Sequence, residues 1–325
     1  MEQFLKDIGE HEFISRFLRK NLPASGIVQG IGDDCAVLDF SENEYLLVTS
    51  DMMVEDRHFT RSWFSMSQIG RKLVEINVSD IHSMGGKASY GFLSVAFPGT
   101  MRAEESNSFF TGLYESADRH DLQLAGGDTT ENDKIIVNLT LLGHVEKKRL
   151  QLRSGCQDGD LLCVTGTLGK SAAGLALFLA GQSGNKSGYL EPQARSYSDA
   201  LTISLYATSM IDISDGLASE ACHLARHSGL QFNIRQNDIP LSDETKKSAS
   251  LLKADPIEWA LSGGEDYELL FTLPPQKLDT LKKQFSDFSC IGRASKGVAK
   301  VCLETDSGQR EISKGYEHFK TQAKK

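Results

Sequence analysis

Apolar residues along this chain fall into short runs closed by polar turns and longer stretches in which they recur every three or four positions. The first pattern predicts strands and the second predicts helices. Phe4, Leu5, Ile8, Phe13, Ile14, Phe17 and Leu18 have helical spacing, with Gly9 as a kink or restart. Ala36–Leu38 and Tyr45–Val48, joined by Ser41-Glu42-Asn43-Glu44, read as a β-hairpin. Ile69, Leu73, Ile76 and Ile81 predict a helix over 67–84 that stops at Gly85-Gly86. A strand over 90–97 closes at Pro98-Gly99, a helix covers about 102–120, a short strand reaches Leu124, and a strong strand spans 135–142. Strands and helices in that order make an α+β layer, a sheet covered on one face.

The polar stretch 146–160 is the best boundary candidate, giving an N-terminal domain over 1–147 and a C-terminal domain over 148–325. Beyond it, a strand at 161–165 leads through Gly166–Gly169 into an alanine-rich helix over 171–180. Residues 181–196 are rich in glycine and serine and predict a mobile loop. A helix follows Gly216 and ends near Gly229, and a strand at 267–273 is stopped by Pro274-Pro275. A further helix and strands near 288–293 and 298–304 complete a second α/β domain. The expected class is thus α/β (α+β) in two domains. At 325 residues the chain also exceeds the size at which one core usually keeps growing.

Composition narrows the partners. A net charge of −9 argues against non-specific nucleic-acid binding and suits a protein that collects cations, although solubility alone accounts for it equally well. The six cysteines form no Cys-x-x-Cys pair and no zinc-type spacing, and most lie in apolar runs as small buried side chains do. No signal peptide opens the chain and no apolar run approaches the roughly 18 residues of a membrane span, so a cytoplasmic location is expected.

Two nucleotide-binding signatures fail. Gly166-Thr167-Leu168-Gly169-Lys170-Ser171 is like a P-loop, but Val164 stands where the spacing needs glycine. Gly30-x-Gly32 lacks the third glycine of a dinucleotide fingerprint. The Gly-x-Ser-x-Gly elbow of a serine hydrolase is also missing. What remains is a series of acid-bearing turns beside glycine or serine: Asp33-Asp34, Ser50-Asp51, Asn77-Val78-Ser79-Asp80, Gly126-Gly127-Asp128-Thr129-Thr130, Asp212-x-Ser214-Asp215-Gly216 and Gly263-Gly264-Glu265-Asp266. Each alone reads as a turn or helix cap. Together, at the ends of apolar strands, they read as one ligand site. The hairpin brings Asp34 and Asp51 to one edge, where carboxylates repel unless a cation or proton intervenes. Mg²⁺ takes one or two carboxylates per ion and fills its octahedron with water and phosphate oxygens, so scattered aspartates fit a triphosphate held by more than one Mg²⁺. Ser214, before a helix, and the Gly126-Gly127 amides are placed to donate to phosphate oxygens.

These motifs, together with Thr49-Ser50-Asp51, Arg57-His58-Phe59, Met84-Gly85-Gly86 and Gly315-Tyr316-Glu317-His318-Phe319, occur in an order that resembles the thiamine-monophosphate kinase family over nearly the whole chain. The resemblance implies ATP-dependent phosphorylation of thiamine phosphate to thiamine diphosphate, and an N-terminal domain that dimerises through its sheet. It implies that Asp34, Thr49, Ser50, Asp51, Asp80, Asp128, Asp212 and Asp215 hold Mg²⁺. Tyr114, Gly127, Asp128, Arg153 and Ser214 would contact ATP, and His58, Glu265 and Phe319 would face thiamine phosphate. No general base is implied, because the acceptor phosphate is already an anion. Two alternatives stay open at this point: a superfamily enzyme that makes an acyl phosphate or selenophosphate, and a non-catalytic ATP–Mg²⁺ sensor.

Overall fold

The structure, a computed structural model, describes residues 4–17, 26–313 and 315. Helix α1 (Leu5–Phe17) runs through Gly9 without a break. Strands β1 (Ile27–Gln29), β2 (Ala36–Asp39), β3 (Glu44–Val54), β4 (Lys87–Phe97), β5 (Gln123–Glu131) and β6 (Ile136–Glu146) form a six-stranded sheet in the order β1-β2-β3-β6-β4-β5. The predicted hairpin is present, with Ala36 opposite Val48 and Asp39 opposite Tyr45. Its second strand continues to Val54, because β6 pairs with it from Glu44 to Val54.

One face of this sheet is covered by α2 (Met66–Ser83) and α3 (Ala103–Arg119). Ser65 and Gln68 close a reciprocal capping box that fixes where α2 begins. Ile69, Leu73 and Ile76 of α2 are buried, as their spacing predicts. The two helices cross at Gly70 and Gly112, where an added Cβ would collide with the carbonyl oxygens of Phe109 and Ser67. Among the described residues the opposite sheet face stays open, with Met52, Tyr90 and Phe92 exposed on it.

The second sheet orders β13 (Gly308–Ile312), β12 (Lys300–Thr305), β9 (Gln231–Arg235), β11 (Phe288–Ser295), β7 (Leu161–Thr165), β10 (Leu269–Leu273) and β8 (Ser209–Asp212) side by side. On it and around it lie α4 (Lys170–Leu179), α5 (Ser187–Leu190), α6 (Tyr197–Ser204), α7 (Leu217–Ser228), α8 (Asp243–Leu252), α9 (Pro256–Ser262) and α10 (Leu278–Lys282). One core centres on β7, β9, β10 and α7, and a smaller one on Ala200, Met210, Phe271 and Leu281.

Two local expectations are corrected. Gly126–Thr130 is not a turn but the second half of β5, paired in parallel with β4. The 181–196 stretch is not a featureless loop: it holds α5, and Tyr189 is buried against Phe64 of the N-terminal core.

Candidate active site

Asp34 lies just before β2 and Asp51 on β3, and the charge of Asp34 acts on the buried Asp51. Thr49 donates from Oγ1 to Asp80 Oδ2 at 2.5 Å, and the Asp51 N–H donates to Asn77 Oδ1 at 3.0 Å, so β3 is tied to α2 along this edge. Asn77 and Asp80 lie about one helical turn apart on α2. Ser79 on the same helix donates to Asp212 Oδ2 at 2.6 Å, which joins the end of β8 to the N-terminal layer. Ser83 donates to Asp34. Arg153 grips Asp34 Oδ1 through Nη2 at 2.6 Å and Nε at 3.0 Å, while its backbone N–H reaches Asp33 at 3.2 Å. Two donors converging on one carboxylate oxygen make Arg153 a bound group, not a solvated linker residue.

Asp34, Asp51, Asp80 and Asp212 therefore meet where the two halves of the molecule touch. Their electrostatics show the crowding. Burial, then the Asp34 charge, raises Asp51 to about 6. Burial and Asp34 raise Asp212 to about 8 against the opposing Ser79 bond and Arg153 charge. Burial followed by Asp51, Asp212 and Asp34 pushes Asp80 well above the carboxylate range. Asp33 reaches about 7, through burial and Asp34. Arg153 is the one cation paired with this group among the described residues. Among the described residues no three His, Cys, Asp or Glu side chains are arranged to hold a single ion. Carboxylate and hydroxyl oxygens in excess, spread along one wall, instead suit hard cations that take one or two carboxylates each.

The wall continues into a cavity of about 330 Å³. Asp51, Asp80, Ser214 and Asp215 stand in it with His58 and Glu265, and Met53, Ile76, Leu175, Tyr189 and Tyr267 supply an apolar side. Asp215 and Ser214 are presented by the β8–α7 turn. Glu220, in the first turn of α7, accepts from the Asp215 N–H at 2.8 Å and from Ser214 Oγ at 3.3 Å. Sequence reading missed Glu220, although an acid in the first turn of a helix is itself a signal. Burial, then Asp215, raises its carboxyl. His58 Nδ1 accepts from the Val54 N–H at 3.0 Å, which sets the ring at the cavity mouth.

Other candidates lie elsewhere in the single chain. Ser50 points to the open sheet face, bonded to Thr140 Oγ1 at 2.9 Å. Asp128 is exposed on β5 opposite Ser94, on that same face. Gly127 has φ +152, and a Cβ there would collide with the Leu93 backbone, so glycine is needed for β5 to lie against β4. Tyr114, on α3, is half exposed. Phe319 falls outside the described residues.

The chain matches the family described as AIR synthase related protein, by its N-terminal domain over residues 32–145 and its C-terminal domain over 157–301. It is 34% identical over 322 residues to the thiamine-monophosphate kinase of Aquifex aeolicus, covering 97% of this chain and 99% of that protein. The chain belongs to the thiamine-monophosphate kinase family. Its relative in Bacillus subtilis is 33% identical over 327 residues, covering 96% of this chain and 99% of that protein. A solved structure of AaThiL complexed with AMPPCP and TMP superposes with a TM-score of 0.86 at 33% identity, covering 98% of this chain and 99% of that one. The hydrogenase maturation protein HypE, at 18% identity and a TM-score of 0.71 over 89% of this chain and 95% of that one, shares the fold. No helix among the described residues is long and apolar enough to cross a membrane.

Proposed function

We propose that this family member uses ATP to phosphorylate thiamine phosphate, giving thiamine diphosphate and ADP, and that it does so with more than one Mg²⁺ bound at the acid wall. The observation that carries the reading is the meeting of Asp34, Asp51, Asp80 and Asp212 at the rim of a cavity that also holds His58 and Glu265. The family's chemistry supplies the substrates, and its solved relative was complexed with AMPPCP and TMP.

An oxygen of the acceptor phosphate attacks the γ-phosphorus of ATP in line, and the bond from that phosphorus to the β-phosphate oxygen breaks. The acceptor is an anion at neutral pH, so no residue need remove a proton. The barrier is instead the approach of two polyanions. Bound Mg²⁺ supplies the neutralising charge for that approach. Asp34, Thr49, Ser50, Asp51, Asp80, Asp128, Asp212 and Asp215 are the residues we assign to hold it. Tyr114, Gly127, Asp128, Arg153 and Ser214 take ATP. His58, Glu265 and Phe319 orient thiamine phosphate, so that its phosphate faces the acid wall.

Ser50, Gly127 and Asp128 lie on or beside the open sheet face. We infer that a second copy covers this face, which makes the working form a homodimer in the cytoplasm. We propose a domain boundary at residues 147–148, a reading supported by its position between the last strand of the first sheet and the first of the second. The test is direct. Purified protein with ATP, Mg²⁺ and thiamine phosphate should form thiamine diphosphate and ADP in equal amounts. Nucleotide binding without ADP release would support a sensor, and turnover only with a carboxamide or selenide acceptor would support the other superfamily chemistry.

A further inference from the structure

The cavity wall holds a charged side chain that none of the assignments above uses. Lys72, on α2, is 1% exposed, which is rare for lysine unless it is fully partnered. Its ammonium reaches Glu265 Oε1 at 2.7 Å and the His58 carbonyl oxygen at 3.3 Å. It also lies over the rings of Phe64 and Tyr189, 5.4 and 5.1 Å from their centroids. One buried cation thus touches both described residues assigned to thiamine phosphate, and it does so across the junction between α2 and the second domain.

The Glu265 side needs such an anchor. Glu265 and Tyr267 have φ of +57 and +49, in the left-handed region that non-glycine residues avoid. Gly264 between Gly263 and Glu265 has φ +67, and its approach to the Ser214 carbonyl oxygen leaves no room for a Cβ. The Glu265 N–H donates to the Ser214 oxygen at 2.7 Å and the Tyr267 N–H to the Ile213 oxygen at 2.9 Å. These bonds fix the backbone of the turn but leave the direction of the carboxylate open. Oε2 has the Ser171 hydroxyl at 3.4 Å, a long contact. The Lys72 bond is the short one.

We propose that Lys72 is a positioning residue for thiamine phosphate recognition. Its ammonium holds Glu265 through Oε1 and pins the backbone that carries His58, so the remaining carboxylate oxygen is presented to the amino-bearing aromatic ring of thiamine phosphate. Lys72 also neutralises Glu265, which keeps that carboxylate from adding its repulsion to a phosphate held nearby. The inference rests on the assignment of Glu265 to thiamine phosphate.

The experiment is a steady-state cycle of Lys72→Met, Glu265→Gln and the double variant, with KM measured separately for thiamine phosphate and ATP, and kcat at saturation. Methionine keeps most of the stem that Phe64 and Tyr189 pack against and removes the charge. The expected result for Lys72→Met is a KM for thiamine phosphate raised about tenfold or more, with KM for ATP within about twofold and kcat within about threefold. The double variant should match Glu265→Gln alone, since Lys72 acts through that carboxylate. It carries no unpaired buried charge, and so reports even if Lys72→Met does not fold. An unchanged KM for thiamine phosphate in folded Lys72→Met would overturn the inference, as would an equal rise in both KM values. A double variant worse than Glu265→Gln by the full factor of a second contact would overturn it too. If Glu265→Gln leaves KM for thiamine phosphate unchanged, the assignment of Glu265 is what fails.

Discussion

Single side chains in this molecule divide into those that fasten helices and those that crowd charge. Glu75 belongs to the first kind. On α2, and 1% exposed, it accepts from Ser116 Oγ at 2.5 Å, Arg119 Nη2 at 2.9 Å, His120 Nε2 at 3.1 Å and the Ala194 N–H at 2.9 Å. Burial would raise its carboxyl, but the bonds and charge of His120, with Ser116 and Ala194, outweigh that and hold it below the usual value of 4.5. A depressed carboxylate contributes stability above its unfolded pKa, and the contribution is lost as pH falls through the folded one. Glu75→Gln should therefore cost about 2 kcal/mol in urea unfolding at pH 7. The gap to wild type should narrow as pH falls below about 4.5; a gap independent of pH would mean that packing, not charge, is what Glu75 supplies. Asp51 and Asp215 belong to the second kind. Asp51→Asn or Asp215→Asn should lower kcat/KM about a hundredfold or more. Asp51→Asn removes one like charge from a buried group, so the metal-free variant should melt no lower than wild type. Near-normal kinetics in both variants would remove the metal assignment.

At the scale of elements, the crossing of α2 and α3 controls the site, because α2 carries Lys72, Asn77, Ser79, Asp80 and Ser83. Gly112 lets α3 approach within contact of the Ser67 carbonyl. Gly112→Ala should cost about 2 kcal/mol by overpacking and weaken binding of both substrates together, since the whole helix must shift; thermal melting and KM measurements check this, and an unchanged melting temperature would contradict the contact. The elements were unevenly legible. Ile69, Leu73 and Ile76 announce α2, and the polar turn at 41–44 announces the hairpin, because both patterns are local. Gly126–Thr130 resembles a turn in composition, yet the glycine at 127 serves a parallel strand pressed against Leu93, a partner thirty-odd positions away that composition does not reveal. The apolar pattern predicts no helix at α9, although Asp255 caps it and Pro256 stands in its first turn. In the site, carboxylates beside glycine could be read off the chain. Lys72 could not be assigned there, because its meaning comes from burial and from partners supplied by distant segments.

At the scale of the whole molecule, two sheets from separate halves of the chain bring β3, α2 and β8 to one junction, and acids from each line it. Among the described residues, the open face of the first sheet presents Met52, Tyr90 and Phe92 at 54%, 46% and 41% exposure. Phe92→Asp at the centre of that face should convert a dimer to monomers in sedimentation velocity and lower turnover, while far-ultraviolet circular dichroism stays the same; a wild-type monomer with full activity would contradict the inferred assembly. The central claim, that acids distant in sequence jointly hold the cations that let two phosphates approach, is tested most directly by locating the ions. A crystal grown with AMPPCP, thiamine phosphate and Mn²⁺ in place of Mg²⁺ should show anomalous peaks within about 2.3 Å of carboxylate oxygens from both halves, Asp51 or Asp80 on one side and Asp212 or Asp215 on the other. Peaks confined to the nucleotide, or to surface acids away from the junction, would contradict the account.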